Sequence, residues 1–171
     1  MKIYQAPDKI DWYEVAKRKS IFLAGGITGC DDWQTDLIGE LQSLNDSGLF
    51  DLGGLVIFNP RRDNFDVMDM EVKIEQIRWE HKCLEKCGIC SFFFPASESV
   101  QPITLYELGR YLGDHTSVVS IQEGYKKAED VKIQLALDGN CCSIYRSYDE
   151  AIREHVRALA ITYDNMRRNR T

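Results

Sequence analysis

The sequence predicts an α/β fold in which a doubly wound, five-stranded parallel sheet carries helices on both faces. Five short apolar runs alternate along the chain with segments of helical periodicity. The runs are continuously apolar rather than alternating, which is typical of strands buried on both faces. Because the chain has only 171 residues and no linker or repeat, the alternation indicates a single domain spanning residues 1–171.

The predicted strands end at residues that commonly stop a strand. They are Ser20–Ala24, Leu55–Phe58, Ile89–Phe94, Ser117–Ile121 and Cys141–Tyr145. Gly25-Gly26 follows the first, Asn59-Pro60 the second and Pro95 the third. Ile3–Ala6 is a candidate for an additional edge strand.

Helices are predicted between and after these strands. They run from Asp31 or Asp32 to about Ser43, over Glu71–Lys86, Ile103–Leu112 and Ala128–Leu137, and from Tyr148 to about Asn165. In the last of them Ile152, Val156, Leu159 and Tyr163 recur at helical spacing on one side.

Composition excludes several classes of partner. The formal net charge is −6, whereas a protein that coats DNA or RNA is normally basic, so a polynucleotide partner is not expected. The basic clusters at Lys17–Lys19 and Arg167–Arg170 are interpreted as solvated helix ends. No run approaches the roughly 20 apolar residues that span a bilayer, and Met1–Ala6 lacks a signal-peptide core, so a cytoplasmic location is expected.

The six cysteines do not indicate a disulfide framework or a metal site. Cys87–Cys90 is a CxxC pattern, but it ends a predicted helix and enters a buried strand. A redox CxxC begins a helix, and zinc would need a second pair of ligands. Core cysteines are therefore the favoured interpretation, and neither a metal nor a cofactor is expected.

A ligand of such a sheet binds beyond the carboxyl ends of the strands. The segments there are Gly25–Asp32, Asn59–Asp66, Pro95–Tyr106 and the loop after Ile121. The glycines of the first segment allow backbone N–H groups to approach a ligand, although a tight turn explains them equally well. Arg61 and Arg62 either hold a phosphate or carboxylate, or form surface ion pairs.

Two acidic residues suggest chemistry. Gln76, Trp79 and Glu80 share one helix face, which suits a nucleobase and its ring nitrogens, or is simply a half-buried Trp with polar neighbours. Glu107 lies near the start of the helix that follows the third strand, where it either faces the cleft or stabilises the helix dipole. A carboxylate that attacks an anomeric carbon and a second acid that protonates the leaving base would together cleave an N-glycosidic bond.

An ordered set of segments resembles the nucleoside 2-deoxyribosyltransferase-like family. The segments are Ile21–Gly29 (IFLAGGITG), Asp32–Gln34 (DWQ), Phe58–Arg62 (FNPRR), Glu75–Glu80 (EQIRWE), Phe92–Pro95 (FFFP) and Pro102–Gly109 (PITLYELG). The resemblance implies a flavodoxin-like sheet and exchange of the base of 2-deoxyribonucleosides. Some relatives hydrolyse nucleotides instead, and relatives assemble as oligomers, so a homo-oligomer is expected.

The resemblance also implies roles for individual residues. Glu107 would be the nucleophile, ionised at neutral pH with help from the nearby helix N-terminus, and Glu80 would handle the leaving base. The substrate-binding residues would be Gly25, Gly26, Ile27, Asp32, Trp33, Asn59, Arg61, Arg62, Trp79 and Tyr106. Phe22 stands where characterised transferases carry a tyrosine, and Cys87-Gly88 where many relatives carry an aspartate.

Three functions remain open from the sequence. The first is transfer of a deoxyribosyl group between nucleobases, and the second is hydrolysis of a nucleoside or nucleotide, with Arg61 and Arg62 on a 5′-phosphate. The third is a non-catalytic nucleotide-binding module. In each the partner is a small nucleoside, nucleotide or nucleobase, and the sequence does not decide which base is preferred.

Overall fold

The computed structural model describes residues 1–63 and 68–168 of the chain. Residues 64–66 of the expected ligand-binding edge and residues 169–170 of the C-terminal basic cluster lie outside these ranges. The strands are β1 (Lys2–Gln5), β2 (Ser20–Gly25), β3 (Val56–Asn59), β4 (Ile89–Phe94), β5 (Thr116–Gln122) and β6 (Ser143–Tyr145). The helices are α1 (Trp12–Ala16), α2 (Trp33–Asp46), α3 (Met70–Lys86), α4 (Pro102–Tyr111), α5 (Ala128–Leu137) and α6 (Tyr148–Arg168).

In the described part of the chain the strands form one parallel sheet in the order β1-β3-β2-β4-β5-β6. Strands β2 to β6 alone have the flavodoxin-like order. The sheet has six strands rather than the five predicted, because Lys2–Gln5 pairs with β3 at the place of the candidate edge strand. Its apolar signal is weak because an edge strand stays partly exposed, as Ile3 does at 37%.

Alternate residues of the central strands supply two separate cores. On one face Phe22 and Phe58 pack with residues of α1, α3, α4 and α5. On the other face Ile21 and Phe93 pack with residues of α2 and α6. The prediction of helices on both faces is therefore confirmed, and the predicted bounds shift by three residues at most, as at the end of α2.

At the centre of the sheet, between β2 and β4, successive strands are added in opposite directions. Strand β2 leads through α2 to β3 on one side, whereas β4 leads through α4 to β5 on the other. The carboxyl ends of β2 and β4 therefore flank a crevice at a topological switch point, where open α/β sheets bind ligands. Gly25 ends β2, Asn59 ends β3 and Pro95 follows β4, so all three lie at this edge.

The cysteines of the CxxC pattern are core residues, as predicted. Cys87 is the C-terminal cap of α3 and Cys90 lies in β4; both are buried, with 3.5 Å between their Sγ atoms. Burial also raises the pKa of the nearby Cys83 thiol, which disfavours the reactive thiolate. Across the described ranges, none of the helices has the length and apolar character to span a membrane.

Candidate active site

Two glutamates lie on the helices that cover the α3 and α4 face of the sheet. Glu80 lies on α3 and Glu107 on α4, and both side chains are half-buried. Burial and, to a smaller extent, the charge of Glu80 raise the pKa of Glu107 to about 8. Because the charge of one group influences the other in a poorly solvated place, Glu80 and Glu107 are called the acidic pair below.

The expectation that the helix N-terminus keeps Glu107 ionised is wrong. Helix α4 begins at Pro102, a residue suited to a first helical position, which places Glu107 in the second turn. The effect of the helix dipole falls off within the first turn. Desolvation and the repulsion from Glu80 therefore dominate, and they raise the pKa instead of lowering it.

Glu80 is held in place by Gln76, one helical turn earlier. The Gln76 Nε2 atom donates to Glu80 Oε1 at 2.8 Å and to the backbone oxygen of Pro60 at 2.7 Å. Burial raises the pKa of Glu80, and the bond from Gln76 partly opposes this by stabilising the carboxylate.

The Trp79 side chain packs α3 against the sheet. Its ring centroid lies 6.5 Å from that of Phe22 and 6.3 Å from that of Phe58, and its Nε1 donates to the backbone oxygen of Asp8 at 2.9 Å. The indole is half-buried. The N-terminal segment after β1 is thus tied to the helix that carries Glu80.

The Trp33 side chain packs behind the glycine loop (Gly25–Gly29) that follows β2. The Trp33 indole is fully buried and donates from Nε1 to the backbone oxygen of Gly26 at 2.8 Å. A Cβ atom on Gly25 would come within 2.5 Å of the Trp33 ring and 2.3 Å of the Phe93 backbone oxygen. Gly25 is therefore required by close packing, and Trp33 lies behind the loop. Ile27 is half-buried at the turn that follows.

Gln101 joins the two loops that flank the crevice, and sequence reasoning missed it. Its side chain is buried against Gly26 and donates from Nε2 to the backbone oxygen of Pro95 at 3.0 Å. Its φ of 49° is a left-handed conformation, although a residue before proline usually prefers an extended one. A polar residue directly before Pro102, at the ligand-binding edge, was the available signal.

Arg61 is engaged by its own chain. Its Nε lies 2.8 Å from Asp32 Oδ1 and 3.0 Å from Gln34 Oε1, and its Nη2 donates to the backbone oxygen of Asp31. Asp32 itself caps α2 by accepting from the Thr35 backbone N–H.

Arg62 and Asn59 are also bonded locally. Arg62 Nη1 lies 2.8 Å from Glu75 Oε2, and Asn59 Oδ1 accepts from the Arg61 backbone N–H at 3.0 Å. Of the two interpretations of the arginine pair, these contacts favour ion pairs within the chain.

Tyr106 lies apart from the acidic pair. Its side chain is 62% exposed, and its hydroxyl accepts from Arg110 Nη1 at 3.2 Å. The neighbouring Glu107 faces a different direction from Tyr106, since successive helical residues do so.

The model of the nucleoside 2-deoxyribosyltransferase-like family matches residues 18–125. This segment makes up most of the chain and contains β2 to β5, the glycine loop and both acidic residues. The chain belongs to this family. The search of curated proteins found no match to the chain.

Membership of the nucleoside 2-deoxyribosyltransferase-like family identifies the class of activity. The protein is an enzyme of the nucleoside deoxyribosyltransferase type, whose substrates are small nucleosides and nucleobases. Cleavage of an N-glycosidic bond uses a nucleophile and an acid, and both carboxyl groups of the acidic pair lie within the matched segment.

Proposed function

We propose that this enzyme transfers a 2-deoxyribosyl group from one nucleobase to another through a covalent glycosyl-enzyme on Glu107. The observation that supports the proposal is that Glu80 and Glu107 are both half-buried on helices of the same face, where the charge of Glu80 adds to the effect of burial on the pKa of Glu107. Two close carboxyl groups suit double displacement with retention of configuration.

In the first half of the reaction a Glu107 oxygen attacks the anomeric carbon. The carbon–oxygen bond forms as the bond to the base nitrogen breaks, and the electron pair of that bond goes to the base. Glu80 gives its proton to a nitrogen of the departing base, because an anionic base leaves poorly. In the second half a nitrogen of the acceptor base attacks the anomeric carbon, Glu80 takes up its proton and Glu107 is released.

This scheme needs one proton shared by the two carboxyl groups, and the acidic pair favours that state near neutral pH. Repulsion in a poorly solvated place opposes the doubly ionised form, as the raised pKa of Glu107 indicates. In the free enzyme Gln76 stabilises the carboxylate of Glu80, which leaves the proton on Glu107. A base nitrogen that accepts from Glu80 favours the protonated form of Glu80, so binding of the substrate shifts the proton to the group that must donate it.

A nucleoside fits the arginines better than a nucleotide does. Arg61 is bonded to Asp32 and Arg62 to Glu75, so a 5′-phosphate would have to replace partners that the chain already supplies. The deoxyribosyl donor is therefore proposed to be an unphosphorylated nucleoside.

The test is to trap the intermediate. A 2′-deoxy-2′-fluoro nucleoside that reacts slowly should leave its sugar on the peptide that contains Glu107, as found by mass spectrometry. Glu107→Gln should carry no adduct and lose turnover while keeping ligand affinity, because the lost interaction forms only in the transition state. Glu40→Gln changes an exposed glutamate of α2 and should keep both adduct and turnover. An adduct on another carboxylate would show that the nucleophile is misassigned.

Two further measurements separate the alternatives. Glu80→Gln should slow donors whose base needs protonation and spare donors whose base leaves easily. Wild-type enzyme should release base from a deoxynucleoside much faster when a free acceptor base is present. Equal rates with and without the acceptor would instead indicate a hydrolase, and binding without any turnover a non-catalytic module.

A further inference from the structure

The orientation of the Gln76 side-chain amide is fixed by two acceptors. Its Nε2 lies between the backbone oxygen of Pro60, at 2.7 Å, and Glu80 Oε1, at 2.8 Å. A flipped amide would place the Gln76 oxygen against both of these oxygens. The backbone oxygen accepts hydrogen bonds only, so the orientation holds whether or not Glu80 is protonated.

This orientation leaves the Gln76 Oε1 atom as an acceptor without a donor. Gln76 is only 6% exposed, and its Oε1 has no hydrogen-bond partner among residues 1–63 and 68–168. Buried polar atoms are nearly always bonded, and an unsatisfied one is destabilising. An orphan acceptor beside a candidate catalytic carboxyl group indicates a place that a ligand donor completes.

We propose that Gln76 selects the nucleobase, and that it favours a 6-aminopurine over a 6-oxopurine. The inference rests on the proposed function, because it assumes that Glu80 protonates the departing base. A 6-aminopurine carries an acceptor at N7 beside a donor at its 6-amino group. The free oxygen of Glu80 donates its proton to N7, while Gln76 Oε1 accepts from the amino group.

A 6-oxopurine presents the wrong pattern to this pair. Its N7 still faces Glu80, but its carbonyl oxygen at position 6 meets Gln76 Oε1, so two acceptors oppose each other. The amide does not flip to correct the mismatch, because Pro60 and Glu80 hold its Nε2. A site built to bond a donor rejects an analogue that lacks it, since its own buried acceptor stays unpaired.

The experiment compares 2′-deoxyadenosine with 2′-deoxyinosine as donors, since their bases differ only at position 6 and in the proton on N1. With wild-type enzyme and one common acceptor base, kcat/KM should favour deoxyadenosine by about 5- to 150-fold. Gln76→Met keeps the size but removes the amide. Both rates should fall, because Glu80 loses its positioning bond, and the ratio should collapse to within about threefold of unity.

Gln34→Met is the matched control. Gln34 is an equally buried glutamine with one unbonded amide atom, its Nε2, but it contacts Arg61 rather than Glu80. The ratio of the two donors should be the same as in wild type, whatever happens to the rates.

The outcomes separate this inference from the function on which it rests. Equal use of the two donors by wild-type enzyme, a preference for deoxyinosine, or a ratio that survives Gln76→Met would overturn the role of Gln76 and leave deoxyribosyl transfer standing. Failure to cleave any deoxynucleoside would overturn the proposed function itself, and the role of Gln76 with it.

Discussion

Two groups of polar side chains on opposite faces of the sheet differ in how completely their partners satisfy them. On the α6 face the fully buried His155 has both ring nitrogens bonded, Nε2 to Ser91 Oγ at 2.7 Å and Nδ1 to Ser120 Oγ at 2.8 Å. On the α3 and α4 face burial and, to a smaller extent, repulsion from Glu80 raise the pKa of Glu107 to about 8.

The difference separates stability from function. A buried group whose partners are complete fixes one packing arrangement, as His155 does between α6 and strands β4 and β5. Groups whose partners are incomplete destabilise the free protein and await a ligand, which is the usual signature of a functional site. The comparison predicts that substitutions on the α6 face reduce stability, whereas those in the acidic pair reduce activity.

The largest expected effect on stability is that of His155→Phe. Phenylalanine keeps a planar ring but leaves the Ser91 and Ser120 hydroxyls buried without partners, at about 1–3 kcal/mol each. Chemical denaturation at pH 7.5 should therefore show a loss of about 2–5 kcal/mol in the free energy of unfolding. Combining it with Ser91→Ala and Ser120→Ala should recover part of the loss. A change below about 0.5 kcal/mol would mean that the network contributes nothing beyond packing.

His155 also gives this face a pH dependence of its own. Burial lowers the pKa of His155 to about 3, from about 6.5 in an unfolded chain. The folded state thus favours the neutral ring, so this stability is fully present above pH 6.5 and is lost as the pH falls toward 3. The gap between wild type and His155→Phe should narrow over that window.

The pH dependence of stability due to Glu107, tested with Glu107→Gln, should have the opposite sign to that due to His155. The pKa of Glu107 is about 8 in the folded state and about 4.5 when unfolded. Its contribution to folding stability is therefore fully present below pH 4.5 and is lost as the pH rises through 8. Relative to wild type, the variant should gain about 2–4 kcal/mol in unfolding free energy between pH 5 and pH 9. Glu40→Gln is the control, with a flat difference. A flat difference for Glu107→Gln as well would show that the acidic pair is well solvated.

The smallest effect on stability is expected for substitutions at the rim of the crevice. Arg62→Ala breaks an ion pair whose Glu75 side chain is 55% exposed, and such pairs contribute about 0–1 kcal/mol. Replacing Arg61 and Arg62 together should lower kcat/KM equally for a deoxynucleoside and for its 5′-phosphate. A loss at least about 10-fold greater for the phosphate would return the pair to the role of phosphate ligands.

Local patterns were enough to predict the elements of the fold. The continuous apolar runs of β2 and β4 and the periodicity of α6 are properties of neighbouring residues, and burial on both faces enforces them. Two N-terminal elements are the exceptions: edge strand β1 was only a candidate, because it is partly exposed and its apolar signal is diluted, and the five-residue helix α1 was not predicted, because it is too short for a helical period to show.

The candidate site was only partly visible in the sequence. Glu107 and Glu80 could be singled out by resemblance, but not the distance between them, because it depends on how α3 packs beside α4. Trp33 and Asp32 carry the motif expected of a binding loop, yet one lies buried behind Gly25 and the other caps α2. A sequence motif does not specify which side of a loop a side chain takes.

The sequence by itself determined the order of strands and helices, the family and the identity of the acidic residues. Only the tertiary structure decided their chemistry. The ionisation of Glu107 is governed by burial and by Glu80, 27 residues away in the chain, and these outweigh the local helix dipole. The orientation of Gln76 likewise depends on Pro60, a neighbour only in the fold. Electrostatic energy depends on distance and solvation in space, and neither is encoded by the spacing of residues along the chain.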